Sequence, residues 1–400
     1  MTSGRRVDIV GAGLGPKTLT REAADSIAQA DLLVGSPRLL AEHACGRAAV
    51  AASLPAEAVA AVRRGGAAHT AVLMSGDVGF HSGAAKVWAA LRDDGGYDVR
   101  LLPGVAAPVL FAARLGVPWE NSSLVSCHGL DGGLVSRVRR CRRVFALTGR
   151  NVPALAAQLI DAGYGGLAVH FGQNLGLPSE SIGETTVERL PERAWPSLTV
   201  LLIENPKADA RVRSGLPDDR FLRGQKPMTK AAVRALVLSR LAPRPTDVCY
   251  DIGCGTGSVT VELALAAYDG QVWAVDKDPE AIALTKANCR NFHIGNATVV
   301  QGLAPAALAA WPPPDTVFIG GTAGGLEAVV AAVLGRNPAA QIAITAIAVE
   351  SAARALAALA DRGLEPQITQ LTAADGRSVG GLHLLFGHNP VAVVSGGGRG

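Results

Sequence analysis

The sequence predicts an α/β protein with two separate glycine-turn domains, and three observations lead to that prediction. The stretch VCYDIGCGTGSVTVELA at 248–264 runs from an apolar strand through a glycine turn into a segment rich in helix formers. A second apolar strand, QVWAVDKD, follows and ends in Asp276. The segment VDIVGAGLGP at 7–16 repeats the strand-to-glycine order near the start of the chain. Apolar strands that alternate with helical patterns are typical of parallel α/β sheets.

The turn at 253–257 predicts a cofactor site. A backbone that turns from strand to helix adopts positive φ, and the missing Cβ of glycine lets a ligand approach closely. Asp276 stands where a doubly wound sheet places the carboxylate that binds a ribose diol. The order G-x-G-x-G lacks the G-x-x-G ending of the dinucleotide fingerprint, which argues against NAD. The pattern resembles the class I S-adenosylmethionine (SAM) methyltransferases and implies SAM as cofactor, with a purely structural tight turn as the alternative.

Composition limits the classes of protein that fit. The chain has 400 residues, of which 48% are hydrophobic and 18% charged, so it can bury large cores in two or three domains. No run of about eighteen apolar residues is present, and the first residues lack the cleavage region of a signal peptide. We therefore expect a globular cytoplasmic protein with no membrane partner.

Cysteine and histidine spacing gives no sign of a metal site. The six cysteines form no C-x-x-C pair and the eight histidines no H-x-x-x-H pair, so neither a disulfide framework nor zinc is indicated. Cys127 precedes His128, but neighbours in a strand point to opposite faces, which argues against a nucleophile and base. We expect reduced, packed cysteines and no metal.

The basic run SRVRRCRRV at 136–144 has two interpretations. The net charge is only +4, 4% of residues are aromatic, and no aromatic residue interleaves with the run. Nucleic-acid platforms need such aromatic residues, so no nucleic-acid partner is predicted. A solvated helix face is the first interpretation. A polyacidic small substrate is the second, because Arg binds carboxylates in a bidentate way.

A polar segment divides the chain. The strand SLTVLLIEN ends at 205, and KADARVRSGLPDDRFLRGQKP then shows no apolar period before TKAAVRALVLSRLAP resumes one. Polar, proline-broken segments of this kind are typical interdomain linkers. We predict a first domain at 1–205, a linker at 206–227 and a second domain at 228–400.

The first domain has its own signature. Three glycines at 11, 13 and 15 follow the strand VDIV, and the next strand ends at Ser36 where a nucleotide-binding Rossmann domain would have an acid. A later strand delivers the loop SGDVGFHS at 75–82, and VRLLPGVAAPVL turns at 103–104 into a helix.

These motifs together resemble the tetrapyrrole (corrin and porphyrin) methylase family across most of residues 5–205. The resemblance implies a fold of two α/β lobes that hold SAM between them. It implies a catalytic or cofactor role for Asp77, with a turn-capping role as the alternative. Val78 stands where the family usually has a proline and its fixed φ. The other implied cofactor contacts are Gly11, Gly13, Gly76, Ala106 and Ala107.

The second domain resembles the precorrin methyltransferase and decarboxylase domain of cobalamin biosynthesis from residue 216 onward. The matching segments are GQKPMTKAAVRAL, GLAPAAL, VFIGGTAGGLEAV, ITAIAVES and GHNPVAVVSG. The sequence departs at Leu303, where the family often has an Asp. The resemblance implies a class I, Rossmann-like SAM domain whose pocket is lined by Thr229, Gly253, Cys254, Gly255, Thr256, Gly257, Asp276 and Ala304.

Two corrin-modifying domains in one chain imply a fused, decarboxylating precorrin methyltransferase. The resemblance implies methylation at C5 by the first domain, and methylation at C15 with loss of the C12 acetate carboxyl by the second. Lys230 and Arg234 are candidates for ring carboxylates and Glu350 is a candidate proton carrier. The alternatives are solvated surface for the two basic residues and, for Glu350, a charge favoured by the helix dipole.

Two functions of other classes stay open at this stage. An RNA methyltransferase would need a basic, aromatic-bearing platform, and a corrinoid- or SAM-binding module would lack turnover. The partner that the resemblance implies is a precorrin-type tetrapyrrole, with or without cobalt, and a homo-oligomer is expected. The order of the two methylations and the residue that assists decarboxylation stay open.

Overall fold

The computed structural model describes residues 4–128 and 133–397. The chain forms two compact units. Unit 1 comprises Met1–Leu134, Cys141–Ala157 and Gly166–Pro206, and unit 2 comprises Val135–Arg140, Gln158–Gly165 and Lys207–Gly400. Both units contain strands that alternate with helices, so the predicted α/β class is confirmed. The boundaries at 205 and 228 stay a prediction.

The first half of the chain contains two five-stranded sheets. One sheet is entirely parallel, in the order β3-β2-β4-β1-β5, and the other has the order β6-β7-β10-β8-β9 with only β6 and β7 parallel. The strands are β1 (Arg5–Gly11), β2 (Leu32–Gly35), β3 (Ala49–Ala51), β4 (His69–Met74), β5 (Tyr97–Leu102), β6 (Ser123–Ser126), β7 (Arg143–Thr148), β8 (Ala168–Gln173), β9 (Ser181–Thr186) and β10 (Thr199–Glu204). The helices are α1 (Arg21–Gln29), α2 (Pro37–His43), α3 (Pro55–Gly65), α4 (Ala84–Asp93), α5 (Ala107–Leu115), α6 (Leu134–Arg140) and α7 (Val152–Asp161).

A buried carboxylate connects three neighbouring strands of the parallel sheet. Asp8 on β1 is fully buried and accepts hydrogen bonds from Arg6, Ser26 and Arg100, with His69 of β4 at 2.9 Å. Burial by itself raises the pKa of Asp8, but the two guanidinium groups outweigh burial and hold that pKa well below its usual range. This cluster anchors β1, β4 and β5, whose opposite ends carry the predicted glycine loops.

The second half of the chain forms a seven-stranded sheet in the order β13-β12-β11-β14-β15-β19-β16, in which β19 runs antiparallel to both neighbours. The strands are β11 (Val248–Ile252), β12 (Gln271–Asp276), β13 (Ala297–Gln301), β14 (Thr316–Ile319), β15 (Gln341–Ala346), β16 (Gln367–Leu371) and β19 (Val391–Gly396). The helices are α8 (Ala231–Leu241), α9 (Ser258–Ala266), α10 (Pro279–Asn291), α11 (Leu326–Arg336) and α12 (Val349–Ala360). Two further strands, β17 (Ala374–Val379) and β18 (Leu382–Gly387), form an exposed hairpin.

A buried ion pair joins α8, α9 and part of the predicted linker. Arg234 and Glu262 are both 0% exposed and lie 2.7 Å apart. Glu262 accepts hydrogen bonds from the amides of Gly215 and Leu216, and Arg234 donates to Asp218. The hypothesis that Arg234 binds ring carboxylates is therefore wrong. Removal of one partner of such a pair costs about 3–5 kcal/mol.

The segment predicted as a linker also contributes to the core of unit 2. Leu216 and Phe221 are buried in the cluster that contains Val237, Val261 and Phe292. The amide of Leu222 donates to the Asn288 side chain at 2.8 Å. Isolated apolar residues in a polar segment have no period, which is why the sequence pattern did not indicate this packing.

The basic run at 136–144 is not a solvated helix face. Arg137 lies 3.1 Å from Asp269, and the Arg140 guanidinium stacks on the ring of Tyr268. Burial lowers the pKa of Arg139 from its usual value. Residues 135–140 belong to unit 2, and contacts within that unit cover the helix. The interpretation of this run as a solvated helix face is therefore wrong.

Candidate functional site

Three loops meet at the carboxyl ends of β1, β4 and β5. Gly13 and Gly76 exchange backbone hydrogen bonds of 3.1 and 2.8 Å. A Cβ on Gly104 would lie 2.3 Å from the carbonyl oxygen of Gly76 and 2.5 Å from that of Gly11. No side chain fits there, so the loops pack backbone to backbone. The structure thus brings together Gly11, Gly13 and Gly76, three of the residues predicted to contact a cofactor.

Asp77 connects two of these loops. One carboxylate oxygen accepts the amide of Gly79 at 2.8 Å and the other accepts the amide of Gly104 at 3.0 Å. The Ser82 hydroxyl donates to the carbonyl of Val78, which fixes the loop where the family usually has a proline. Asp77 has the geometry of a positioning residue, because both of its oxygens hold backbone.

Ala106 and Ala107 begin α5 immediately beyond Gly104. Ala106 is the N-cap residue, in extended conformation, and its carbonyl accepts the amides of Val109 and Leu110. Pro108 has no N–H and the Val109 amide is bonded to Ala106, so Ala107 provides the first-turn amide that a polar group can approach. This position is compatible with the predicted cofactor contacts.

The second glycine turn follows β11 and leads into α9. Gly253, Gly255 and Gly257 have φ of 74°, 57° and 76°, in the left-handed region that favours glycine. A Cβ on Gly253 would lie 2.5 Å from the carbonyl oxygen of Gly321, and one on Gly257 would lie 2.7 Å from Thr285. The turn therefore packs against α10 and the segment after β14, with no room for a side chain at Gly253 or Gly257.

Asp276 ends β12 beside this turn. One carboxylate oxygen accepts the amide of Gly255 and the other accepts the amide of Asp278, both at 3.0 Å. Each oxygen keeps a further lone pair for a ligand hydroxyl. The turn and the acid predicted from the sequence are thus directly bonded to each other.

A cleft of about 990 Å³ opens at these residues. Gly257 is not part of the lining, because its α-carbon faces Thr285. The cleft also includes the exposed Leu303 and a second group of polar residues, Ser351, Arg354, His388 and Asn389. The predicted residues that line it are Thr229, Lys230, Gly253, Cys254, Gly255, Thr256, Asp276 and Ala304.

Charged groups surround the mouth of the cleft. Lys226 forms ion pairs with Asp278 and Glu280, and Lys230 lies 3.5 Å from Asp218. The carbonyl oxygen of Thr229, the residue before Lys230, accepts a hydrogen bond from the buried Arg234. The loop at 226–230 is therefore tied to the rest of unit 2 by ion pairs on both sides.

The structure does not bring Glu350 to the cleft. Glu350 lies in the first turn of α12 and is exposed, whereas Ser351 and Arg354 of the same helix line the cleft. Arg354 pairs with Glu327 at 3.0 Å. Sequence reasoning missed Arg354 and His388. The segment GHNPV contains His388 and belongs to the resemblance of the second domain. No chemical role was attached to this segment, so the sequence did not identify His388 as a site residue.

Cysteines near the cleft have no nucleophilic environment. Burial raises the pKa of the Cys254 thiol well above its usual value, and Thr285 donates a hydrogen bond to its sulfur. Within residues 4–128 and 133–397, no group of three or more His, Cys, Asp or Glu has the arrangement to hold a metal ion. Over the same residues, no helix is long and apolar enough to cross a membrane.

Family comparisons match the two halves of the chain separately. The model for "Tetrapyrrole (Corrin/Porphyrin) Methylases" matches residues 6–191, and the model for "Precorrin methyltransferase domain" matches residues 220–395. These matches confirm the two resemblances and the fold classes that they imply: a two-lobed methylase fold followed by a Rossmann-like one.

Individual relatives agree with the family matches. A probable cobalt-precorrin-6B C(15)-methyltransferase (decarboxylating) from Pyrobaculum calidifontis is 41% identical over 186 residues, which cover 45% of this chain and 94% of the relative. A precorrin-6Y C(5,15)-methyltransferase [decarboxylating] from Sinorhizobium sp. is 36% identical over 264 residues, 64% of this chain and 62% of the relative. The crystal structure of a precorrin-6Y C5,15-methyltransferase from Geobacter metallireducens has 31% identity, covers 46% of this chain and 97% of its own, and has a TM-score of 0.44.

A buried acid lies beneath the glycine turn of unit 2. Asp251 on β11 is 0% exposed, accepts a hydrogen bond from Thr260, and has a second oxygen without a hydrogen-bond partner. Burial raises the pKa of Asp251 to about 7, and the charge of Asp276 adds to that effect. The folded state therefore retains a proton on Asp251 at a pH where the unfolded chain has lost it.

We predict that Asp251→Asn removes a pH dependence of stability. Between about pH 4 and pH 7 the unfolded state releases the proton and the folded state keeps it, so the free energy of unfolding falls as pH rises, by up to about 4 kcal/mol. Above pH 7 this contribution is constant. Urea unfolding at pH 5 and pH 8 measures it, with exposed Asp361→Asn as control. An unchanged pH dependence in Asp251→Asn would contradict the assignment.

Proposed function

The chain belongs to the family of decarboxylating precorrin methyltransferases in which a tetrapyrrole methylase domain precedes a precorrin methyltransferase domain, and on that premise we propose that both domains use SAM. The single observation that supports this most is the direct bond between Asp276 and Gly255, because it holds a carboxylate with further acceptor positions beside the glycine turn. The family is one of cobalamin biosynthesis. Neither the RNA methyltransferase nor the binding-module hypothesis has a comparable observation in its favour.

We assign methylation at C15 and decarboxylation to the second domain and methylation at C5 to the first. A relative about half as long as this chain has C15 methylation and decarboxylation in its own name. That relative supports one domain for both steps. The tetrapyrrole methylase domain at 6–191 is then available for the C5 methyl.

The residues of the second domain fit SAM. The glycine turn bonds its backbone to the end of β12, Asp276 offers two acceptor positions to the ribose diol, and Ala304 with Leu303 provides an apolar wall for the adenine. Asp276 and Asp278 place negative charge near a cationic ligand. When bound, SAM supplies a methyl group on a positively charged sulfur.

Positioning is the main task that the protein performs. The meso carbon of a reduced corrinoid is enamine-like and already nucleophilic, so no side-chain nucleophile is required. Orientation of two reactants supplies on the order of 7–11 kcal/mol. Lys230, at the mouth of the cleft, is our candidate for the residue that binds a carboxylate of the ring. That carboxylate would take the place of Asp218, whose oxygen lies 3.5 Å from the Lys230 ammonium.

In the first domain, the backbone-packed loops form the proposed SAM site. Gly11, Gly13, Gly76, Ala106 and Ala107 provide the surface. Asp77 holds the loop at 76–79 against Gly104. Its proposed role is therefore to position the cofactor loop rather than to react.

Mass spectrometry tests the whole assignment. The protein is incubated with precorrin-6Y and SAM, and the product masses are recorded over time. Two added methyl groups with loss of one carbon dioxide are expected. A product without any added methyl group would refute the proposed function.

We also propose that the protein is a homo-oligomer assembled through the β17–β18 hairpin. Both faces of the hairpin are exposed, with Leu382 at 68% and Leu385 at 78% exposure. An isolated two-stranded hairpin is marginally stable, and apolar patches of this kind mark interfaces. A second copy of the chain offers the same surface across a two-fold axis.

Sedimentation velocity checks the oligomer. The wild-type protein is expected to sediment as an oligomer, and the double variant Leu382→Glu/Leu385→Glu as a monomer, because buried charges destabilise an apolar contact. Val212→Glu, an exposed apolar position outside the hairpin, is the control and should leave the oligomer intact. A monomeric wild type would refute this proposal.

Asp276→Ala is expected to abolish methylation at C15 and spare C5. Charge-assisted hydrogen bonds from two ribose hydroxyls are worth about 1.5–3 kcal/mol each. A ring with one added methyl group and an intact acetate should accumulate in the mass spectrum. C5 methylation in the same sample is the internal control, and unchanged C15 methylation would show that Asp276 does not hold the ribose.

Asp77→Asn is expected to lower C5 methylation about 10-fold or more, equivalent to about 1.4 kcal/mol. The amide side chain retains one acceptor oxygen, so one of the two loop amides loses its partner. C15 methylation, in the other domain, serves as control if that domain accepts a ring unmethylated at C5. Normal C5 methylation in the variant would mean that the loop keeps its position without the carboxylate.

A further inference from the structure

A histidine and an aspartate of the hairpin form a pair at the cleft of unit 2. His388 follows β18, lines the cleft, and has its Nε2 2.7 Å from an oxygen of Asp375 on β17. The amide of His388 donates to the carbonyl of Ala373, which fixes the backbone at this point. The imidazole is 24% exposed. The side chain is therefore held in one orientation at the edge of the cleft.

Three other charged side chains of the cleft already have ionic partners. Lys226 pairs with Asp278 and Glu280, Lys230 lies near Asp218, and Arg354 pairs with Glu327. Arginine does not release protons in proteins. Lys277 follows Asp276 directly, on the side assigned to the cofactor. Among the described lining residues, His388 carries the only imidazole, the side chain most often used as a general acid.

Decarboxylation requires a proton at a defined carbon. The bond between the acetate methylene and its carboxyl breaks, carbon dioxide leaves, and the electron pair passes into the protonated conjugated ring. The pair then returns to the methylene carbon, which takes up one proton and becomes a methyl group. The net change is an acetate plus a proton giving a methyl group plus carbon dioxide.

We propose that His388, oriented by Asp375, donates this proton. The inference rests on the function proposed for the C-terminal domain. Asp375 binds Nε2–H, so Nδ1–H is the group that transfers the proton to carbon, and solvent then reprotonates the ring. The carboxylate stabilises the doubly protonated imidazole through a charge-assisted hydrogen bond. General acids of this kind contribute roughly 10²–10⁴-fold to a rate.

The test compares His388→Gln, Asp375→Asn and a matched control. His383→Gln removes an exposed imidazole from β18 of the same hairpin, outside the cleft lining. Each full-length variant is incubated with precorrin-6Y and SAM in heavy water, and methylation, carbon dioxide loss and deuterium content are followed by mass spectrometry. Calorimetric binding of SAM to each variant shows whether the cleft is intact.

We expect His388→Gln to methylate C15 within about 2-fold of the wild type and to decarboxylate at least ~10-fold more slowly. A methylated ring that keeps its acetate then accumulates. Asp375→Asn should show a smaller loss of decarboxylation alone, and His383→Gln none. The wild-type product should carry one deuterium in the new methyl group.

Two results would overturn the inference while the proposed function stands. One is wild-type decarboxylation in His388→Gln, and the other is an equal fall in methylation and decarboxylation, which would make His388 a ring-binding residue. A wild-type protein that adds no methyl group would instead refute the proposed function itself. The two failures are therefore distinguishable in one set of samples.

Discussion

The closeness of backbones at the strand ends is the constraint on which both candidate sites depend. In the first half of the chain, a Cβ on Gly104 would lie within 2.5 Å of two carbonyl oxygens, and in the second half a Cβ on Gly253 would meet Gly321 at the same distance. The lack of space alone requires glycine at 104, whereas Gly253 has both a positive φ and no space for a side chain. In each case the strand ends and their loops pack backbone to backbone.

Charged side chains hold these surfaces in place. Asp77 ties one loop to Gly104, and Asp276 ties the other glycine turn to the end of β12. Arg234 and Glu262 fix the loop before α8, which borders the cleft. Asp77 and Asp276 accept backbone amides, and the Arg234–Glu262 pair bonds to backbone as well as to itself, so these groups hold the sites before any ligand binds. Rigid, pre-arranged groups suit a reaction in which positioning supplies most of the rate enhancement.

The sequence predicted what is local and missed what is long-range. The glycine turns and Asp276 were identifiable because strand, turn and acid are close in sequence and their chemistry requires those residue types. Burial of Arg234 was not, because its partner Glu262 lies on another helix with no motif of its own. His388 was missed because the hairpin that brings Asp375 to it has no buried face to create an apolar period. The prediction of Glu350 as a site residue was wrong by one position in the helix, because the next residue, Ser351, lines the cleft.

The central claim is that both glycine-lined surfaces bind SAM. Isothermal titration calorimetry of the full-length protein with SAM counts the sites directly. Two molecules of SAM per chain are predicted, one for each domain. A stoichiometry of one, or no binding by the wild-type protein, would contradict the account.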